Sequence, residues 1–168
     1  MAGFPPISVR QPRAHDLVDD PVGVCGVGTG FEGVISARVR AGNGQELAQR
    51  PINAGGTGTW GNFRVAIDLP GRPPTPRGTL EVFEEAQDGS GRELNKVTVP
   101  IVFGTNLIDG YFGFAQYTVE SGDTLSGIAQ QFYGDPDRFR IIFQANRNQL
   151  DDPDEIFPGQ VLRIPQGT

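Results

Sequence analysis

The chain has 168 residues, with 24 glycines, 14 prolines, a net charge of −6 and a pI of about 4.7. That acidity leaves no electrostatic footprint for nucleic acid, and the single cysteine, Cys25, excludes an internal disulfide. No stretch approaches the ~20 apolar residues a membrane span needs, and the glycine and proline content, without a repeat, favours short strands and many turns.

Met1 to Pro12 has neither a basic n-region nor an apolar h-region, so no signal peptide is visible. The expectation is a cell-envelope or extracellular protein if an export signal has been removed, and a cytoplasmic one otherwise. From Ile7 to Phe103 the pattern alternates with period two. Ile7-Ser8-Val9 and Pro21–Val27 are short candidate strands. Val34–Val39 sends Ile35, Ala37 and Val39 one way, and Glu46–Ile52 is weaker. Asn62–Leu69 puts Phe63, Val65, Ile67 and Leu69 on one face. Thr79–Phe83 does the same with Leu80 and Val82, and Asn95–Phe103 is mostly β-branched. Gly42-Asn43-Gly44, Gly55-Gly56 and Asp88-Gly89-Ser90-Gly91 supply turns. About seven short strands with frequent turns predict an all-β immunoglobulin-like sandwich over residues 1–104.

Residues 105–115 read as a linker. A free linker is polar, so Tyr111, Phe112 and Phe114 predict that it packs on a domain, or else extends the last sandwich strand.

From residue 116 the period changes to that of helices. Gln116–Val119 is a short strand, broken at Ser121-Gly122-Asp123. Thr124 is a good N-cap. Leu125, Ile128, Ala129 and Phe132 make one apolar helical stripe, and Gly134 is placed to end the helix in a left-handed conformation. Asp135-Pro136 restarts a helix with a carboxylate cap and proline at its first position. Phe139, Ile142 and Phe143 form its stripe, and Asn146 closes it. Asp152-Pro153 repeats the cap on a short turn, Pro158-Gly159 turns again, and Val161–Ile164 is a last strand. The prediction is a small α+β unit, βααβ, over 116–168, with the two strands paired antiparallel.

The residue inventory offers no catalytic set. His15 is the only histidine and reads as a loop residue. Cys25 reads as a small buried thiol in a segment without basic neighbours. Glu84-Glu85 alternate across a strand and cannot flank one bond. Asp151, Asp152, Asp154 and Glu155 fit no EF-hand spacing, and capping explains Asp152. Neither a metal nor a cofactor is expected, and a hydrolase is not.

The run Tyr117-Thr118-Val119, Ser121-Gly122-Asp123-Thr124-Leu125, Phe132-Tyr133-Gly134-Asp135, Ile142-Phe143-Gln144-Ala145-Asn146 and Pro158-Gly159-Gln160 through Leu162-Arg163-Ile164-Pro165 resembles a LysM domain along its full length. Phe31-Glu32-Gly33, Thr59-Trp60-Gly61-Asn62-Phe63 and Gly78–Glu85 with Asp88-Gly89 and Asn95-Lys96-Val97 resemble the Gmad2 domain, an immunoglobulin-like module common beside envelope modules.

The LysM resemblance implies non-catalytic binding of a glycan containing N-acetylglucosamine, a peptidoglycan or chitin-type oligosaccharide. A protein partner would then be met through the sandwich, or the sandwich would be a spacer. Position by position, it implies a groove with Gly122, Asp123, Thr124 and Leu125 on one wall and Asp154, Ile156 and Phe157 on the other. Thr124 is also explained as a cap, and Leu125 and Ile156 as core. Asp123 and Phe157 are the residues the fold needs least. Trp60 reads as packing before sugar stacking. The second reading is a structural or protein-binding part, since this variant signature is also similar to LysM units of cytoplasmic stress-type proteins and of phage-tail or contractile-injection assemblies. A potassium-binding member of the first group carries a BON domain, whose pattern this chain lacks.

Overall fold

The computed structural model of the protein describes residues 6–56 and 58–168. Residues 1–5, which begin both the stretch searched for a signal peptide and the first expected domain, lie outside the described residues. By its contacts the chain divides into two units, Met1–Phe103 and Gly104–Thr168.

The first unit is a sandwich of eight strands: β1 (Ile7–Gln11), β2 (Asp16–Val18), β3 (Val22–Gly28), β4 (Val34–Ala41), β5 (Glu46–Asn53), β6 (Gly61–Ile67), β7 (Arg77–Glu85) and β8 (Glu93–Phe103). One sheet runs β1-β3-β6, the other β2-β8-β7-β4-β5. All pairs are antiparallel except β2 with β8, which is parallel. The alternation read from sequence sets the inner faces: Ile35, Ala37 and Val39 of β4 meet Leu80 and Val82 of β7, and Phe63 and Ile67 of β6 close from the opposite sheet. Strand β2 is too short to carry a periodic signal, and sequence reading missed it.

The outer face of β4 is not left to water. Ser36 and Arg38, which alternation turns outward, are 8% and 7% exposed. Arg38 lies 4.6 Å above the buried Phe83 ring. It donates to Glu81 through Nε at 2.8 Å and through Nη2, and meets Glu93 at 2.7 Å. Arg40 reaches Glu81 at 3.2 Å, and Lys96 reaches Glu93 at 3.0 Å. Bonds from Arg38 and Lys96 hold the Glu93 carboxyl at about 2. Burial works against the Glu81 charge, but its bonds to Arg38 and Arg40 outweigh it and lower its pKa.

The second unit begins with a single helical turn, α1 (Gly104–Leu107), followed by β9 (Gly113–Thr118), α2 (Leu125–Tyr133), α3 (Phe139–Ala145) and β10 (Val161–Gln166). Thus β9 starts earlier than Gln116, and residues 105–115 are structured. Tyr111 is 9% exposed, and a Cβ on Gly104 would stand 2.4 Å from its ring, so only glycine fits there. Phe112 and Phe114 are exposed at 68% and 42%, and no residue of 105–115 extends β8, which ends at Phe103. Strands β9 and β10 pair antiparallel from Gly113↔Gln166 to Thr118↔Val161. The caps behave as their chemistry dictates: Thr124 accepts from Gly127 N–H, Gly134 takes φ 70°, and Asp135 accepts from Asp137 N–H ahead of a short 3-10 turn at Pro136–Arg138.

Leu125, Ile128 and Ala129 of α2 and Ile142 of α3 pack with Val119, Leu150, Leu162 and Ile164. Asn146 does more than close α3. It is fully buried, donates to the carbonyls of Ile142 at 2.8 Å and Arg163 at 2.7 Å, and accepts from Arg163 N–H at 2.8 Å. One amide side chain therefore ties α3 to β10, and each of those buried polar groups finds its partner in it.

Candidate functional site

The turn after β9 is built by one carboxylate. Asp123 Oδ2 accepts from Glu120 N–H at 2.7 Å and from the Tyr117 hydroxyl at 2.8 Å. Gly122 takes φ +93°, a left-handed conformation glycine adopts without strain. The bond to Asp123, ahead of partial burial, raises the Tyr117 pKa, and the Tyr117 ring sits edge-on to Phe132 at 5.7 Å. Sequence reading had Asp123 as little needed by the fold. The structure corrects this, because the residue fixes the turn that presents Thr124 and Leu125.

The facing loop is built separately. Asp152 Oδ1 accepts from Asp154 N–H at 2.9 Å, which is the expected cap. Arg147 lies 4.6 Å over the Phe143 ring and donates to the carbonyls of Leu150 at 2.8 Å and Asp151 at 2.7 Å. Further on, Gly159 N–H bonds Val119 O at 2.8 Å, and Val119 N–H bonds Gln160 O at 2.8 Å, which brings the loop back beside β9.

Between the two loops lies a cleft of about 310 Å³ lined by Asp123, Thr124, Leu125, Ser126, Phe139, Pro153, Asp154 and Ile156. Five of the seven residues expected at a groove line it together. Gly122 and Phe157 do not, although Phe157 is 66% exposed. Leu125, at 2% exposure, offers backbone and a side-chain edge. Three lining residues were not singled out from sequence. Ser126 directly follows the expected wall, residues 122–125, in sequence. Phe139 belongs to an apolar stripe in the sequence, yet it begins α3, is only half-buried and lines the cleft. Pro153 had been read only as part of a cap. The cleft thus offers an apolar spot from Phe139, Ile156 and Pro153, two hydroxyls and two carboxylates. That mixture suits a polar ligand with a small apolar group.

The remaining candidates lie outside the cleft. Glu84 accepts from Phe31 N–H at 2.8 Å and Asn95 Nδ2 at 3.1 Å, and Glu85 accepts from Ser36 and Gln49. Trp60 is 42% exposed, so it is not core. Cys25 is half-buried rather than buried, and Arg64 stands opposite it on β6, a basic neighbour that sequence reading did not see. His15 lies in a loop with φ 63°, its N–H on Pro100 O at 2.6 Å. Among the described residues no three His, Cys, Asp or Glu side chains converge as metal ligands. Among them, too, no helix is long and apolar enough to cross a membrane.

Comparison with known families gives two matches. The immunoglobulin-like domain of bacterial spore germination, Gmad2, matches residues 6–90, and the LysM domain matches residues 117–165. Both are typically non-catalytic binding modules, LysM for carbohydrate. The potassium binding protein Kbp of Escherichia coli is 58% identical over 50 residues, 30% of this chain and 34% of that protein. An uncharacterized protein of Deinococcus radiodurans is 35% identical over 128 residues, 74% of this chain and 47% of its own length. An esterase of Mycobacterium tuberculosis is 49% identical over 51 residues, only 11% of that enzyme. The chain therefore spans between a third and a half of the first two relatives.

Proposed function

We propose a role for this chain from the premise that it belongs to the Gmad2 immunoglobulin-like family and ends in a LysM domain: it is a non-enzymatic binder of glycans containing N-acetylglucosamine, of peptidoglycan or chitin type. The observation that carries the reading is the cleft between the two loops, where Asp123, Thr124, Ser126 and Asp154 surround the apolar spot made by Phe139, Ile156 and Pro153. An N-acetyl group presents a methyl and an amide together, and such a site answers both. Phe157, exposed beside the cleft-forming loop, is a rim contact for a longer oligomer.

The sandwich serves as a spacer or protein-interaction domain. Phe31, Val34 and Leu94 are exposed apolar residues at one end of its five-stranded sheet, where β4 begins, β7 ends and β8 begins. This supports the second reading, in which the chain is a structural or protein-binding part. The Escherichia coli relative is named for potassium, but it shares only the module, about a third of its own length. A location at the cell envelope belongs to the glycan reading.

Co-sedimentation with insoluble peptidoglycan and with chitin tests the reading. The full chain is expected to be retained, and a variant combining Asp154→Ala with Phe157→Ala to be released. No retention of the wild type on either polymer favours the protein-binding role.

A further inference from the structure

We infer that the cleft selects glycans in which some glucosamine units have lost their acetyl group and carry an ammonium, over fully acetylated glycans. The inference rests on the glycan reading and specifies the ligand of the same site.

The ionisable side chains that line the cleft are both carboxylates, Asp123 and Asp154. They come from opposite walls: Asp123 from the turn before α2, Asp154 from the loop after α3. Each is held in place by its own turn. Asp123 is fixed through Oδ2, and the backbone of Asp154 is pinned to Asp152. Glu120, Asp151, Asp152 and Glu155 are exposed acidic residues of the same two loops. Two guanidiniums stand near without lining the cleft: Arg147 donates to the carbonyls of Leu150 and Asp151 on the loop that carries Asp154, and Arg140 lies 5.9 Å from the Phe139 ring centroid.

A ligand of an N-acetylglucosamine polymer has two states at each nitrogen. The acetamide is neutral and carries a methyl, which suits Phe139, Ile156 and Pro153. The free amine of a glucosamine unit is a weaker base than a lysine amine; it is protonated in mildly acidic solution, where Asp123 and Asp154 can meet it as carboxylates. One apolar spot and two acidic walls therefore match a mixed oligomer better than a uniform one. Exposed ion pairs are individually weak, so the effect is a preference and not a switch.

The test is calorimetric titration of the full chain with fully acetylated chitotetraose and with the same tetramer carrying one free amine, at about pH 5.5, below the amine's titration and above that of an ordinary carboxylate. The expected result is roughly two- to fivefold tighter binding of the amine-bearing tetramer at low salt. That ratio should shrink toward one at about 0.5 M salt, where charges are screened over a few ångströms. In Asp154→Asn the ratio should fall at low salt as well. Equal or weaker binding of the amine-bearing tetramer by the wild type overturns the inference while leaving the glycan reading intact. A ratio unmoved by both salt and Asp154→Asn also overturns it. Failure of both tetramers to bind removes the glycan reading itself.

Discussion

The two units solve the problem of a small core in opposite ways. The sandwich brings together residues far apart in sequence and covers the outside of its larger sheet with a charged cluster, Arg38 and Arg40 against Glu81 and Glu93, over the Phe83 ring. The LysM unit is held in another way. Its elements are fixed by neighbours a few residues away, Thr124 on Gly127, Asp123 on Glu120, Asp135 on Asp137, while Asn146 on Arg163 and Tyr133 on the Pro165 carbonyl supply long-range ties. The lesson is that stability in the first unit depends on pairing charges, and in the second on satisfying backbone groups.

The sharpest way to break that contrast is Arg38→Ala. It leaves Glu81 and Glu93 without their main partner on a largely covered face, and a loss of about 3 kcal/mol is expected in the sandwich by amide exchange on the full chain. Acid should act on the same cluster. Folding depresses the Glu81 and Glu93 pKa values below the ordinary carboxylate range, so their stabilisation is complete above about pH 4.5. It is lost as pH falls toward the Glu93 value of about 2. Sandwich amides should lose protection through that window, and in Arg38→Ala much less of the loss should be pH-dependent. Protection that is flat with pH in the wild type would remove the charge-pairing account.

Asn146→Ala comes next. It strands Arg163 N–H and the carbonyls of Ile142 and Arg163, at a cost of about 2 kcal/mol read from exchange in α3 and β10. Thr124→Ala removes one cap and should cost about 1 kcal/mol, with Thr124→Ser largely neutral. Equal losses from Asn146→Ala and Thr124→Ala would show that the long-range tie is no stronger than a local cap.

The same contrast explains what could be read in the sequence. Helix ends Thr124, Gly134 and Asp135 were legible because the cap and the group it satisfies lie within four residues of each other. The inner face of β4 was legible because alternation needs only β4 itself. Burial of Arg38, the parallel pairing of β2 with β8, and Arg64 beside Cys25 depend on a neighbouring strand, and no local signal carries them. In the cleft, the loops could be named from sequence. Phe139 could not be placed there, because an apolar residue in a helical stripe gives no sign that half of it faces a groove. Asp123 was misread although one partner, Glu120 N–H, is three residues away; the other, the Tyr117 hydroxyl, lies across the turn on β9.

The central claim is that the cleft between the two loops of the LysM unit receives an N-acetylglucosamine glycan. The most direct measurement is a residue-resolved NMR titration of the full chain with chitotetraose. The account predicts saturable amide shifts confined to Asp123, Thr124, Leu125, Ser126, Phe139, Asp154 and Ile156, with Phe157 following as a rim residue. Shifts centred on the sandwich, or none at saturating sugar, would contradict it.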